Sequence, residues 1–89
     1  MSYFVYLIIS NNSNKYTSYV GYTTNLKRRL KLHNSSKGAK FTRGRIWKLI
    51  YKKKYNNKIL AMKGEYLLKK NYKIRKEIKQ KYISNVRNK

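Results

Sequence analysis

The chain opens on an apolar run without alternation, Tyr3-Phe4-Val5-Tyr6-Leu7-Ile8-Ile9. Its β-branched and aromatic content predicts a strand buried on both faces. Ser10 to Lys15 is polar and Asn-rich, which predicts a turn, and Tyr16 to Tyr22 is again strand-like, so the two segments pair most simply as a β-hairpin. Thr23 or Thr24 then offers an N-cap oxygen for a helix beginning near Asn25. In that helix Leu26, Leu30 and His33 form one stripe, with Arg29 beside it one turn before His33. Residues 35–45 break the periodicity and predict a loop punctuated by Gly38 and Gly44. Ile46 to Tyr51 predicts a third strand with Trp47, Leu49 and Tyr51 on one face, closed by Lys52-Lys53-Lys54. After an Asn56-Asn57 turn, Ile59, Met62 and Tyr66 mark a second helix to about Lys70. Ile74, Ile78 and Tyr82 mark a third helix to about Ile83. The order ββαβαα predicts an α+β fold: a three-stranded, mostly antiparallel sheet packed with helices, in one domain over residues 1–89 with a short basic tail.

Charge then narrows the partners. The 89 residues contain 24 Lys and Arg, two acidic residues and no Asp, for a formal net charge of +22. Such a field attracts polyanions and repels a second copy of the chain, so a monomer bound to nucleic acid, DNA first, is the expected state. AT-rich codon usage accounts for Lys over Arg but not for the missing Asp. An anionic membrane surface is the rival polyanion, yet the apolar helix stripes are narrow and are needed to cover the sheet. The longest apolar run is too short to span a bilayer, and it has neither a basic region before it nor a small-residue cleavage site after it. A cytoplasmic location, at the nucleoid through DNA, is the resulting expectation. The absence of cysteine excludes disulfides, thiolate metal sites and cysteine nucleophiles.

The rare residues bound the chemistry. With one His and only Glu65 and Glu77 as acids, a two-metal carboxylate site and a Ser-His-Asp triad are both excluded. One Mg²⁺ on a single Glu, completed by waters and substrate phosphate, is feasible because Mg²⁺ keeps its waters readily. Phosphate chemistry would otherwise rest on Tyr, Lys, Arg and His33. A tyrosine can act as a base if nearby cations or metal-bound water lower its pKa.

Specific strings point further. Val5-Tyr6-Leu7 and Tyr19-Val20-Gly21 on the first two strands resemble the paired motifs of the GIY-YIG nuclease superfamily. The helix Asn25 to Asn34 is similar to that family's following helix, with Arg29 in the place of its arginine. Lys37-Gly38-Ala39-Lys40-Phe41-Thr42-Arg43-Gly44-Arg45 resembles the basic loop of its small stand-alone bacterial branch, and Ala61-Met62-Lys63-Gly64-Glu65 falls where the family places its metal-binding Glu. The resemblance covers about residues 3–81 and departs from the motif at Phe4, which stands where the family has a Gly. It implies a metal-dependent endonuclease of the kind that serves DNA repair or recombination, hydrolysing a phosphodiester with one Mg²⁺ or Mn²⁺. Arg29 would neutralise the scissile phosphate, Glu65 would ligate the ion, and Tyr6 and Tyr19 would orient and deprotonate water, either being the base. His33 would hydrogen-bond a tyrosine or a phosphate. Arg28, Lys37, Lys40, Arg43 and Arg45 would grip the substrate. No recognition element is evident, so selectivity is expected for structure or strandedness.

Plainer readings stand beside these. Any one of ten tyrosines on a strand is usually core. Arg29 could be a solvated helix cation, and His33 a core histidine. Glu65 could be a surface charge paired with Lys69, four residues on, but its neighbours Ala61 and Leu68 put it at the border of the buried face, a better place for a ligand than for a solvated pair. Glu77, between Lys73 and Lys81, reads as ordinary helix support, and the triple lysine as a solvated strand end or backbone-phosphate contact. As alternatives to the nuclease, the chain could be a non-catalytic DNA- or RNA-binding module that keeps the fold, or a tyrosine that attacks phosphate covalently.

Overall fold

The unbroken apolar run takes the middle of the sheet, the one place where both faces of a strand are covered. In the computed structural model, which describes residues 1–12 and 15–87, β1 (Tyr3–Asn12) lies between β2 (Lys15–Thr23) and β3 (Lys48–Tyr55), antiparallel to both. Residues 13 and 14 of the predicted turn and the last two residues of the predicted tail lie outside the described residues. Helices α1 (Leu26–Asn34), α2 (Lys58–Lys70) and α3 (Tyr72–Arg87) complete the α+β order ββαβαα. No helix among the described residues is long and apolar enough to cross a membrane.

Strand alternation divides the core into two layers. Val5, Leu7 and Val20 face α2 and α3, where they meet Ala61, Leu68 and Ile78. Tyr6 and Ile8 face the other way, against Trp47 and the α1 residues Leu26 and Leu30. Each fully buried aliphatic side chain contributes about 1.5–3 kcal/mol, so the central strand carries much of the stability.

The third strand starts later and runs further than its pattern predicts. Tyr51 pairs with Leu7 but Leu49 pairs with Ile8, so Ile50 is an extra residue in a β-bulge. The bulge reverses the side-chain alternation. Trp47 and Leu49 stay with the α1 layer, whereas Tyr51 turns to the α2 layer, instead of the three sharing one face. Lys52, Lys53 and Lys54 are exposed ladder residues within β3, not a segment beyond its end.

Two helical details also correct the sequence reading. Asn25, not Thr23 or Thr24, caps α1: its side chain accepts the Arg28 N–H, while Thr23 accepts the Asn25 N–H. In α2 the residues Ile59, Met62 and Tyr66 are exposed, Ile59 by 68%, and Ala61 and Leu68 face the sheet. The physical reason is close approach. Ala61 is fully buried, and a Cβ at Gly64 would collide with the Tyr55 ring, so the helix settles on its small residues. The third helix continues to Arg87, four residues past its predicted end, with Ile78 against the core and Ile74 largely exposed.

Candidate active site

The α1 layer brings four of the singled-out side chains together. Tyr6 points from the central strand towards α1, and its ring lies over Gly21, its register partner on β2. A Cβ at Gly21 would sit 2.6 Å from Tyr6 Cζ, so only glycine leaves the ring its place. The Tyr6 hydroxyl is 2.8 Å from His33 Nε2, and Arg29 Nε–H donates to it at 3.3 Å. Tyr19 packs edge-on against His33 with ring centroids 5.2 Å apart. The α1 stripe thus delivers Arg29 and His33 to the sheet, as its spacing predicts, while Arg28 stays exposed at the helix N-terminus.

His33 has no exposed surface and both ring nitrogens are occupied. Nδ1 lies 2.8 Å from Thr42 Oγ1, and the Thr42 hydroxyl donates its single proton to the Ala39 carbonyl, also at 2.8 Å. Thr42 can therefore only accept from His33, which places the imidazole proton on Nδ1 and leaves Nε2 to accept from the Tyr6 O–H. Burial pushes the Tyr6 phenol above its ordinary value, and Arg29 opposes that rise. Burial and the Arg29 charge hold His33 below its ordinary value. The resting state is a neutral phenol bonded to a neutral imidazole, with a guanidinium beside the oxygen where negative charge would appear.

The loop that follows α1 is folded back onto this pair. Helix α1 ends with Ser36 in the left-handed region (φ 61°), and the Ser36 and Lys37 N–H groups return to the His33 and Leu32 carbonyls. Ser36 Oγ accepts from the N–H of Gly44, which has φ +75°. Asn34 bonds both the N–H and the carbonyl of Trp47, and the Trp47 indole N–H donates to the Thr42 carbonyl at 2.9 Å. Gly38 lies so close to His33 that a Cβ would come within 2.6 Å of Nδ1. Lys37, Lys40 and Arg43 project from this anchored loop into solvent, while Arg45 turns back towards Thr17 on β2. Thr42 and Asn34 are structural partners that the sequence alone did not single out, and Trp47 stood out there only as part of a strand face. The available signal was that a histidine on an apolar stripe needs a partner for each nitrogen, and the next loop offers few hydroxyls.

Phe41 is the exposed neighbour of Thr42. It is 56% exposed and stacks on Tyr19 at 6.1 Å with the planes 21° apart. Tyr19 and Phe41, with Ser18 and Val20 of the β2 edge and Lys69 and Arg75, line an open cleft of about 310 Å³.

Glu65 stands on α2, in the other layer. It lies one turn after buried Ala61, its side chain is 20% exposed, and its charge adds to the upward pressure on Tyr6. Its carboxylate pairs with Lys69 at 3.4 Å and makes no hydrogen bond to Tyr6, Tyr19, Arg29 or His33 among the described residues. No group of three His, Cys, Asp or Glu that could hold a metal occurs among the described residues. The donor set therefore fits at most an ion bound through one carboxylate, with water and substrate completing its shell. Glu77 is exposed and forms no ion pair with Lys73 or Lys81 among the described residues.

Several known proteins are similar to this chain over part of its length. A UPF0213 protein of Streptococcus pneumoniae is 52% identical over 60 residues, 66% of this chain and 61% of its own length. One from Streptococcus agalactiae is 54% identical over 54 residues, 60% of this chain and 61% of its own. The aligned part thus spans about three-fifths of these relatives, and one from Oceanobacillus iheyensis, 44% identical, is matched over 76% of its length. The solution NMR structure of a UPF0213 protein from Bacillus halodurans is 40% identical, with a TM-score of 0.46 over 86% of this chain and 80% of that one. The model of the GIY-YIG catalytic domain matches residues 2–82, and with the two tyrosine strands and the arginine helix on one sheet face, the chain belongs to the GIY-YIG family.

Proposed function

We propose that the protein is an endonuclease that hydrolyses phosphodiester bonds in DNA with the help of one divalent cation. The observation that carries this reading is the Tyr6 hydroxyl, flanked by a proton acceptor and a cation: His33 Nε2 at 2.8 Å and Arg29 Nε at 3.3 Å. A core tyrosine needs only one such partner. Tyr6 passes its proton to His33 as it takes one from the attacking water, and Arg29 stabilises the phenolate character that develops. This makes Tyr6 the base and leaves Tyr19, which has no acceptor behind it among the described residues, to orient water or phosphate. The remaining guanidinium nitrogens of Arg29 suit the scissile phosphate. Glu65 is the residue to hold Mg²⁺ or Mn²⁺, and such an ion, when bound, neutralises charge on the leaving oxygen. Exchange of its 3.4 Å lysine partner for a cation demands little rearrangement.

Selectivity for unpaired strands is part of the same reading. Phe41, stacked on Tyr19, packed tilted against Trp47 and flanked by Lys40 and Arg43, keeps more than half of its surface exposed, and a base can stack there only when it has left a duplex. Arg28, Lys37, Lys40, Arg43 and Arg45 hold the backbone, and a monomer suffices because Tyr6, Tyr19, Arg29, His33 and Glu65 come from one chain.

The test is cleavage of matched single-stranded, flap and duplex DNA with Mg²⁺ or Mn²⁺. Wild type is expected to cut, single strands and flaps first. Glu65→Ala, Arg29→Ala and Tyr6→Phe are expected to bind but not cut, and Tyr19→Phe to keep part of the rate. Binding with steep salt dependence and no product under any metal would favour the non-catalytic module instead, and a trapped protein–DNA adduct would favour covalent tyrosine chemistry.

A further inference from the structure

Thr42 has no exposed surface, lies on a three-residue 3-10 turn (Lys40–Thr42) inside a strongly basic loop, and directs its hydroxyl away from solvent towards His33. A threonine there for loop shape alone would need only the backbone bond from its N–H to the Ala39 carbonyl, which is present at 3.0 Å. Its side chain makes a second bond to that same carbonyl, and this spends the only proton of the hydroxyl. The lone pair facing His33 Nδ1 is thereby fixed as an acceptor.

We propose that Thr42 is a positioning residue for the cleavage reaction, holding His33 as the Nδ1–H tautomer so that Nε2 faces the Tyr6 hydroxyl as a proton acceptor. The proposal rests on the reading of Tyr6 and His33 as the proton relay. The opposite tautomer would place an N–H against Tyr6. The phenol oxygen would then face two donors, Nε2–H and Arg29 Nε–H, while its own proton lost its acceptor. Gly38 completes the device: without a side chain, its backbone closes over the Nδ1 edge of the ring, and water is kept from replacing Thr42. The groups facing His33 are Tyr6 from β1, Tyr19 from β2, Arg29 from its own helix and Thr42 from the loop; Tyr6 meets Nε2, and among the described residues Thr42 alone bonds Nδ1. Partners that fix the tautomer of a metal-bound histidine are commonly worth about 10–100-fold in activity when removed, and a loss of that order is expected here by analogy.

The experiment combines nitrogen NMR of the His33 ring in the full chain with steady-state cleavage by Thr42→Val and Thr42→Ser. The expected result is a protonated Nδ1 and an unprotonated Nε2 in wild type. Thr42→Val should lose about 10–100-fold in kcat with KM nearly unchanged, because Thr42 does not reach the substrate. Thr42→Ser keeps the hydroxyl and should recover most of the rate. A wild-type ring protonated at Nε2 overturns the proposal, as does a Thr42→Val enzyme with wild-type kcat. Equal losses in the Ser and Val variants, matched by equal losses of stability, would show a packing role only and overturn it too. If wild type cuts no substrate with any metal, the nuclease reading fails and takes the catalytic half of the proposal with it. The ring-nitrogen shifts of wild type and Thr42→Val then still decide the tautomer half by themselves: an unchanged Nδ1–H ring in Thr42→Val overturns it.

Discussion

Replacing Gly21 with alanine asks whether Tyr6 is held where proton transfer needs it. The added methyl would fall 2.6 Å from Cζ and 3.1 Å from Cε1 of Tyr6, and it meets the hydroxyl oxygen as well. Ordinary contact begins near 3.4 Å, so the hydroxyl end of the ring must move by roughly 1 Å, a displacement able to cost about 100-fold in rate. The ring cannot yield without loosening its bonds to His33 at 2.8 Å and Arg29 at 3.3 Å. The strand cannot yield easily either, because Gly21 and Tyr6 are register partners in the middle of a ladder. Overpacking of this kind costs about 1–3 kcal/mol of stability. Gly44→Ala is the matched control: a Cβ there meets nothing within 4 Å, and its φ of +75° costs an alanine about 1–2 kcal/mol through the backbone alone. Urea unfolding and single-turnover cleavage should therefore show two variants of similar instability, of which only Gly21→Ala loses about two decades of rate. A Gly21→Ala enzyme with wild-type single-turnover rate and stability would falsify the placement of Tyr6.

Other expectations follow from the same geometry. Because His33 is held below its ordinary value, the unfolded chain binds the extra proton first as pH falls. The stability from burying neutral His33 is fully present above about pH 6.5 and is lost as pH falls towards the folded value. Urea midpoints should drop between pH 7 and 5.5 in wild type, and His33→Gln should flatten that slope, since the chain has one histidine. Asn34→Ala removes both bonds to the Trp47 backbone and should cost about 1–3 kcal/mol in the same assay. A loss under 0.5 kcal/mol would show the loop to be held by other means. Lys40→Gln with Arg43→Gln should shallow the salt dependence of single-strand binding by about 1.4 in the log–log slope if each contacts one phosphate. Phe41→Ala should reduce the preference for single-stranded over duplex DNA by about 1–3 kcal/mol in binding; an unchanged ratio would remove Phe41 from strand selection.

Much of this architecture is legible in the chain because β1 is buried on both faces, which only the centre of a three-stranded sheet allows, and because the α1 stripe has few ways to face that sheet. The α2 face was legible only in part: Ala61 and Leu68 mark the buried face in the sequence as in the structure, but the larger Ile59, Met62 and Tyr66 that mark the helix are exposed. Large residues such as Ile59 and Met62 dominate any hydrophobic pattern, whereas the helix docks through Ala61 and the flanking Gly64, whose virtue is lack of bulk. Nor does any local signal mark Ile50 as a bulge, since the register is set by partners on β1. The side chains of the α1 layer were nominated by motif spacing, but Thr42 is invisible in sequence as one hydroxyl in a loop whose charges dominate it. Its meaning comes only from the fold bringing it to the far side of a histidine.

Because His33 bonds Tyr6 on one side and anchors the basic loop through Thr42 on the other, the proposed chemistry and the proposed substrate grip share one side chain. A descendant that drifted from cutting towards mere binding could not shed this histidine, since the loop that holds the polyanion would come loose with it. Glu65 carries no comparable hydrogen-bonding duty, its carboxylate bonding only Lys69 among the described residues. Decay of activity in this lineage should therefore begin at the glutamate, and the histidine should be the last of the set to change.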